Sequence, residues 1–263
     1  MDIREIFVHP VKGLTPQRCD RVELLENFGI RGDRAFALMF ADTGTPKPRT
    51  PWLSKKHFAV QNDWGKLAAL DCSYDGTRHT LEIKRNGESV LVADVGTSEG
   101  RDRVGDFFTE YLQTLTPSPS ARHPHVSPVR LVGTPTGETR YQDRDRGQIS
   151  IISQATLDDI ARQVGLGAMD PRRFRPNFIV DGADPWAEFD WVGGRLRLGP
   201  ALVQVTARIG RCLNIDVNPD SGDRDFPLLS KLSEGFGQAQ TGVIATIIEG
   251  GTVAKGDIVK IVD

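Results

Sequence analysis

Leu81-Glu82-Ile83-Lys84-Arg85-Asn86-Gly87-Glu88-Ser89-Val90-Leu91-Val92 reads as two short strands joined by a tight turn. Asn86-Gly87 supplies the positive-φ positions that a two-residue hairpin demands. Working outward, Ile3–Val8 and Ala35–Phe40 are further short strands of the N-terminal half. One helix is expected from Val104 to Leu115, where Val104, Phe107, Phe108, Tyr111, Leu112 and Leu115 share a face. Thr114-Leu115-Thr116-Pro117-Ser118-Pro119-Ser120, continuing to Pro128, marks a boundary, because proline fixes φ and cannot donate to a ladder. It divides the chain into 1–117 and 118–263. The second part opens with a strand, Gln148–Ile152. Ser153 is then placed to cap a helix carrying Leu157, Ile160, Ala161 and Val164, which Gly165 stops. Asn177–Val180, Arg195–Leu198, Leu202–Thr206, Gly242–Ile248 and Asp257–Val262 follow as β-like segments. Many short strands, Gly/Pro punctuation and little helix predict a mostly β, α+β protein with a barrel or sandwich-like core.

Composition narrows the function. The 263 residues hold 33 basic and 35 acidic side chains, a formal charge of −2, so no global case for nucleic acid arises. Cys19, Cys72 and Cys212 are odd in number and far apart, which points to a reducing, cytoplasmic setting and excludes a four-cysteine iron–sulfur cluster within this chain. Met1-Asp2-Ile3-Arg4-Glu5 has no apolar signal region, and no stretch approaches membrane-spanning length, so no membrane partner is expected. Phosphate-loop and dinucleotide glycine fingerprints, zinc-site histidine spacing and hydrolase elbows are absent.

The chemistry-bearing residues form small dispersed clusters. Arg211-Cys212 sets a soft thiol beside a cation, followed by the turn-forming Asn218-Pro219-Asp220-Ser221-Gly222. A free cysteine is often only a small buried hydrophobe. Arg172-Arg173-Phe174-Arg175-Pro176-Asn177 is either a solvated basic turn or a clamp for an anion and a heterocycle, since guanidinium forks suit phosphate. Ser153 is a helix cap or, at a helix N-terminus, a phosphate partner. Lys12 in Pro10-Val11-Lys12-Gly13 and Arg34 in Gly32-Asp33-Arg34 are ambiguous alone.

Taken in order, these clusters resemble the MOSC proteins, named for the C-terminal domain of molybdenum cofactor sulfurases. Phe7-Val8-His9-Pro10-Val11-Lys12-Gly13 is similar to the family's opening strand, with Gly13 where serine is common. Gly29-Ile30-Arg31-Gly32-Asp33-Arg34 is similar to its Gly-x-x-x-Asp-Arg segment. Leu53-Ser54-Lys55-Lys56 departs from Leu-Thr-x-Arg, so no contact carries over to Lys56. Ile152-Ser153-Gln154-Ala155-Thr156-Leu157, Phe174-Arg175-Pro176-Asn177, Arg211-Cys212 and Gly250-Gly251 with Gly256-Asp257 complete the series.

The resemblance is nearest the branch of the mitochondrial amidoxime-reducing component. It implies an N-terminal β-rich domain, a MOSC β-barrel domain and a molybdenum–molybdopterin cofactor with Cys212 on the metal. It further implies that Arg211, Arg175, Lys12 and Arg34 offset cofactor charge, that Ser153 meets the phosphate and that Asn177 reads the pterin. Asp220 is its matching acid, or merely part of a turn. The implied reaction is reduction of small N-hydroxylated substrates such as hydroxylaminopurines and amidoximes. The chain lacks a cluster motif and a nucleotide fingerprint, so electrons are expected from a separate ferredoxin-, flavin- or haem-type protein. A Cys212 persulfide for sulfur transfer, or non-catalytic cofactor storage, are the alternatives.

Overall fold

The computed structural model describes residues 1–44, 52–125, 127–136 and 140–262. Val126, inside the expected boundary, and Asp263, the end of the expected second domain, lie outside the described residues. The largest sheet runs, in spatial order, Val259–Val262, Arg195–Leu198, Ala201–Gly210, Gln240–Glu249, Ile149–Ser153, Phe178–Asp181, Asp2–Val8 and Gln17–Cys19. Neighbours pair antiparallel, except that Ile149–Ser153 and Phe178–Asp181 run parallel. A parallel pair needs a crossover, and the helix Gln154–Gln163 lies on it.

The sheet closes on itself. Asp2 bridges Ile258, the Ile3 N–H donates to the Asp257 carbonyl at 2.9 Å, and the Val259 N–H donates to the Met1 carbonyl at 2.8 Å. Side chains alternate across a strand, and here both sets are buried. Ile6, Ile151 and Phe178 join the barrel core, whereas Phe7, Ile152 and Ile179 pack with Leu157, Ile160, Leu228 and Leu232 on the other side.

In the N-terminal half, Leu70–Asp75, Thr80–Arg85 and Glu88–Asp94 make an antiparallel sheet, and Phe36–Phe40 pairs parallel with Val11–Lys12 and antiparallel with Val129–Gly133 in a mixed one. The hairpin forms as its pattern demands. Leu81, Ile83, Leu91 and Ala93 are buried, and Asn86 and Gly87 take φ of 54° and 82°. The fold is mostly β, with three α-helices among the described residues.

Packing crosses the 117/118 division in both directions. Ile3, Ile6, Val22, Leu24 and Ile30 belong to the barrel core, while Val129 and Leu131 join Phe36, Phe40, Trp64 and Phe108 in the N-terminal core. The first strand therefore delivers whatever follows Val8 directly to the seam between the two cores.

Two helices differ from expectation. The first spans Ser98–Gln113, not 104–115, because Thr97 caps it: its Oγ1 accepts from the Gly100 N–H at 3.0 Å. Gly100-Arg101-Asp102-Arg103 carries no apolar period to reveal that turn. A further helix, Leu228–Phe236, was not expected; it buries Leu228 and Leu232 and ends at Gly237 with φ of 66°.

At Gly13 the chain turns with φ of 84°, and a Cβ there would stand 2.7 Å from the Ala59 carbonyl oxygen. The family's serine does not fit without moving backbone. Gly13→Ser should destabilise the protein by roughly 1–3 kcal/mol, read as a lowered urea midpoint; an unchanged midpoint contradicts this packing. Among the described residues no helix is long and apolar enough to cross a membrane.

Candidate functional site

Strand Ala201–Gly210 ends where the Arg211 N–H donates to the Ala239 carbonyl at 2.8 Å. The Arg211 side chain is then pinned in place. Nε donates to Thr241 Oγ1 at 2.5 Å, Nη1 to the Phe174 carbonyl at 2.8 Å and Nη2 to the Thr241 carbonyl, with the guanidinium 5.3 Å from the Phe174 ring centroid. Cys212 follows as an exposed free thiol heading the turn Leu213–Asp216. Cys19 is half-buried and Cys72 buried, and burial pushes the Cys72 thiol up to about 12. Of the three thiols, only Cys212 is open to a ligand.

Arg175 arrives from the turn Pro171–Phe174, in the left-handed region with φ of 54°. Its Nη1 donates to the Leu14 carbonyl at 2.6 Å and to Gln61 Oε1 at 3.3 Å, while Nη2 is buried without a partner. Arg34 also has positive φ, 52°. Such conformations are uncommon for non-glycine residues and gather at sites that the surrounding structure holds firmly.

Between these groups lies a buried polar network. Asp33 accepts from the His9 N–H at 2.9 Å, from Arg34 Nη1 on both oxygens at 2.7 Å, from Arg140 Nη2 at 3.0 Å and from Asn177 Nδ2 at 3.2 Å. Asn177 also accepts from the Ser150 N–H at 3.1 Å and donates to the Phe7 carbonyl at 3.1 Å, so its amide is committed to the frame. Arg34 Nε and Nη2 reach Asp143 Oδ2 at 3.2 and 3.1 Å. Lys12 is fully buried and donates to the Tyr141 and Gln142 carbonyls at 3.3 and 2.5 Å and to Asp143 Oδ1 at 3.4 Å. Burial, with Lys55 and Arg34 nearby, pushes Lys12 down to about 8 against the pull of Asp143. Burial would raise Asp143, but Lys12, Arg34 and Arg175 override it and hold the carboxyl well below its usual range.

Around this network opens a cleft of about 900 Å³, counting space continuous with solvent. Cys212, Arg175, Arg211, Arg34 and Asn177 line it, together with Lys55, Gln61, Asn62 and the strap Arg140–Ile149 apart from Tyr141 and Asp145. Arg34, Arg140 and Arg173 are matched by Asp33, Asp143 and Asp225. No carboxylate among the described residues pairs with Lys55, Arg144, Arg146, Arg175 or Arg211. Burial pushes Arg175 and Arg211 down; Asp143 opposes it at Arg175, where Arg34 adds to it, and Arg144 adds to it at Arg211. Partly buried cations short of counter-charge make a place for an anionic ligand.

The anion site expected of Lys12, Ser153, Arg175 and Arg211 is therefore only half assembled. Arg175 and Arg211 line the cleft, whereas Lys12 stands behind the strap. Ser153 is fully buried; its Oγ accepts from the Thr156 N–H at 3.0 Å and bonds Thr156 Oγ1 at 2.8 Å, and Thr156 Oγ1 donates to Glu188 at 2.8 Å. It is a helix cap whose single O–H donor is already spent on Thr156. Asp220 lies outside the lining; its carboxylate accepts from Arg172 at 2.8 Å, and Asn218 Oδ1 closes the turn by accepting from the Asp220 and Ser221 N–H groups. Sequence reasoning passed over Asp143, Arg140, Asn62 and Lys55. The charge run Arg140-Tyr141-Gln142-Asp143-Arg144-Asp145-Arg146, directly before a buried strand, was the available signal.

Among the described residues no group of three or more His, Cys, Asp or Glu side chains is placed to hold a metal ion. Cys212 is a single soft donor, so a metal bound here must bring most of its ligands with it. An anionic organic group carrying a thiophilic metal fits that donor set.

A mostly β protein with one exposed thiol in a cationic cleft is the class that fold and site define. Residues 138–260 match the MOSC domain and residues 1–115 the MOSC N-terminal beta barrel domain. The chain belongs to the MOSC family. Molybdenum cofactor sulfurase of Oryza sativa subsp. japonica is 28% identical over 134 residues, covering 46% of this chain and 16% of that protein. Mitochondrial amidoxime-reducing component 1 of Homo sapiens is 24% identical over 179 residues, covering 60% and 51%. The chain thus spans about half, or much less, of the length of these relatives. The crystal structure of the YUAD protein from Bacillus subtilis aligns at a TM-score of 0.49 and 15% identity, covering 99% of this chain and 94% of that one.

Proposed function

We propose that the protein binds a molybdenum–molybdopterin cofactor in this cleft through Cys212 and reduces N-hydroxylated compounds, with hydroxylaminopurines and amidoximes as the substrate class. Electrons come from a separate ferredoxin-, flavin- or haem-type carrier, in a cytoplasmic setting that suits three unpaired cysteines. The observation that carries the reading is the exposed Cys212 thiol in a cleft whose Arg175 has a buried guanidinium nitrogen without a partner. The MOSC domain and the amidoxime-reducing relative support it.

When bound, the group supplies two-electron reduction of the N–O bond, with two protons taking the oxygen away as water. This chain's residues hold and orient it. Cys212 gives the thiolate. Arg175 Nη2 donates to cofactor oxygen. Arg211, with three of its five N–H donors on Phe174 and Thr241, fixes the backbone from which Cys212 departs. Lys12 and Arg34 anchor the strap through Asp143, and Asn177 braces the wall. Asp143 is held ionised, so it balances charge and does not deliver a proton. Protons enter from solvent, to which Cys212 is open.

Arg175→Ala removes the unspent donor. A charge-assisted hydrogen bond contributes about 1.5–3 kcal/mol, so cofactor affinity should fall roughly ten- to a hundred-fold while the fold survives. Unchanged occupancy in a folded variant contradicts the assignment. Metal-free protein carrying a persulfide on Cys212 would move the reading to sulfur transfer, and bound cofactor without turnover would move it to storage.

A further inference from the structure

Arg175 Nη2 is not the cleft's sole unspent hydrogen-bonding group. Asn62 also lines it, from the N-terminal half of the chain, and its Oδ1 is buried without a partner. The orientation of that amide is fixed. Nδ2 donates to Asp63 Oδ1 at 2.9 Å, and Asp63 is itself held by Arg122, whose Nη2 reaches Oδ1 at 2.6 Å and whose Nε reaches Oδ2 at 3.1 Å. Asp63 is 1% exposed, so the carboxylate at the centre of this brace is shielded from solvent, although Arg122 itself is exposed. Turning the amide over would set oxygen against carboxylate, so the acceptor stays at the free end. The Asn62 backbone carbonyl is also tied down, by Arg224 Nη2 at 2.8 Å. Next to it in sequence, Gln61 Oε1 accepts from Arg175 Nη1, so the two unspent groups sit on one connected frame.

A buried acceptor without a donor is costly, and native interiors rarely keep one unless a ligand, an ion or an ordered water completes it. We propose that Asn62 is a ligand-binding residue, accepting a hydrogen bond from an N–H group of the molecule that fills the cleft. Asp63 and Arg122 act as positioning residues that aim it. Together with Arg175, the site then recognises a paired pattern, an acidic or carbonyl oxygen on one group and an N–H on the other. Both an N-hydroxylated amidine, through its amino group, and a pterin ring carry such an N–H.

This rests on the function proposed above, and the test separates the two sources. Asn62→Leu keeps the volume and removes the acceptor; Asn62→Asp keeps the acceptor while setting its second oxygen against Asp63, so it serves as a partial rescue only. Each is purified from a cofactor-competent host and its molybdenum and pterin content measured. KM and kcat are then measured with an amidoxime and with an N-hydroxylated substrate that has no other N–H. If Asn62 holds substrate, Asn62→Leu keeps its cofactor and raises KM for the amidoxime alone, about ten-fold. If it holds the pterin, cofactor content falls by a similar factor and Asn62→Asp restores part of it. Arg122→Leu should reproduce the same signature in weaker form. Wild-type cofactor content and both KM values in a folded Asn62→Leu would overturn the assignment. A wild type without cofactor would instead overturn the function beneath it, and in that event binding of free pterin to wild type and to Asn62→Leu still reads the Asn62 contact: equal affinities sink it.

Discussion

Cys212→Ala is expected to yield a folded protein that retains no molybdenum and reduces neither an amidoxime nor a hydroxylamine. The thiol is exposed and caps no helix with its side chain, so its removal should change stability by no more than about 0.5 kcal/mol. The loss falls on the metal bond, because no second side-chain donor set exists among the described residues to replace it. Cys19→Ala, which removes a half-buried thiol remote from the motif, should keep full turnover. Cys72→Ala should also keep turnover, at a cost of about 1 kcal/mol for the space it leaves in the N-terminal core. Molybdenum content, turnover with an artificial donor and the melting temperature, measured on all three variants, separate a ligand from a merely oxidisable thiol. Full activity in Cys212→Ala contradicts the mechanism. Asp220→Asn should leave turnover close to wild type, since Asp220 engages Arg172 outside the cleft.

The second large effect belongs to Asp33→Asn. Asp33 is 1% exposed and takes hydrogen bonds from His9, Arg34, Arg140 and Asn177, which join the first strand, the strap and the wall behind the cleft. Asparagine keeps the shape, but it turns one oxygen into a donor facing guanidinium groups and leaves Arg140 without its carboxylate. Breaking a buried pair from one side costs about 3–5 kcal/mol, enough to remove much of the stability of an ordinary domain.

The effect should also depend on pH. Burial would raise Asp33, but Arg34, the His9 bond and Arg140 override it and hold the carboxyl below its usual range. Its stabilisation is therefore fully present above the unfolded value of about 4 and is lost as pH falls from there through the lower folded value. His9, pushed down to about 3 by burial first and then by Arg34 and Arg175, is depressed in the same way. Unfolding lets it take up a proton below about pH 6.5, so acid lability begins there and steepens below 4. In urea titrations the gap between wild type and Asp33→Asn should be widest near neutrality and narrow below pH 4. A gap that widens with acid contradicts the network.

Much of this arrangement was legible in the chain. The hairpin around Asn86-Gly87 and the Ser153 cap depend on local propensity, which a sequence displays directly; the segment read as Leu202–Thr206 runs on to Gly210. Cys212, Arg175, Arg211, Arg34 and Asn177 do meet at one cleft. What stayed hidden depends on long-range closure. Nothing local says that Asp2–Val8 pairs with Phe178–Asp181 across more than 170 residues of chain, and that pairing places Lys12 behind the strap, outside the cleft lining. Ser153 looked like a phosphate partner because a helix N-terminus attracts anions; that its hydroxyl already donates to Thr156 and its backbone N–H to Glu188 is a tertiary fact. Asn62 lies in Gln61-Asn62-Asp63-Trp64, with no motif around it, and only its fixed amide and unpaired oxygen mark it.

The most direct test of the central claim is elemental and pterin analysis of the wild-type protein purified from a cofactor-competent host. The account predicts molybdenum and pterin in equal amounts with the chain, both lost from Cys212→Ala. Wild-type protein free of both, with a persulfide sulfur on Cys212 in intact-mass spectra, would contradict it.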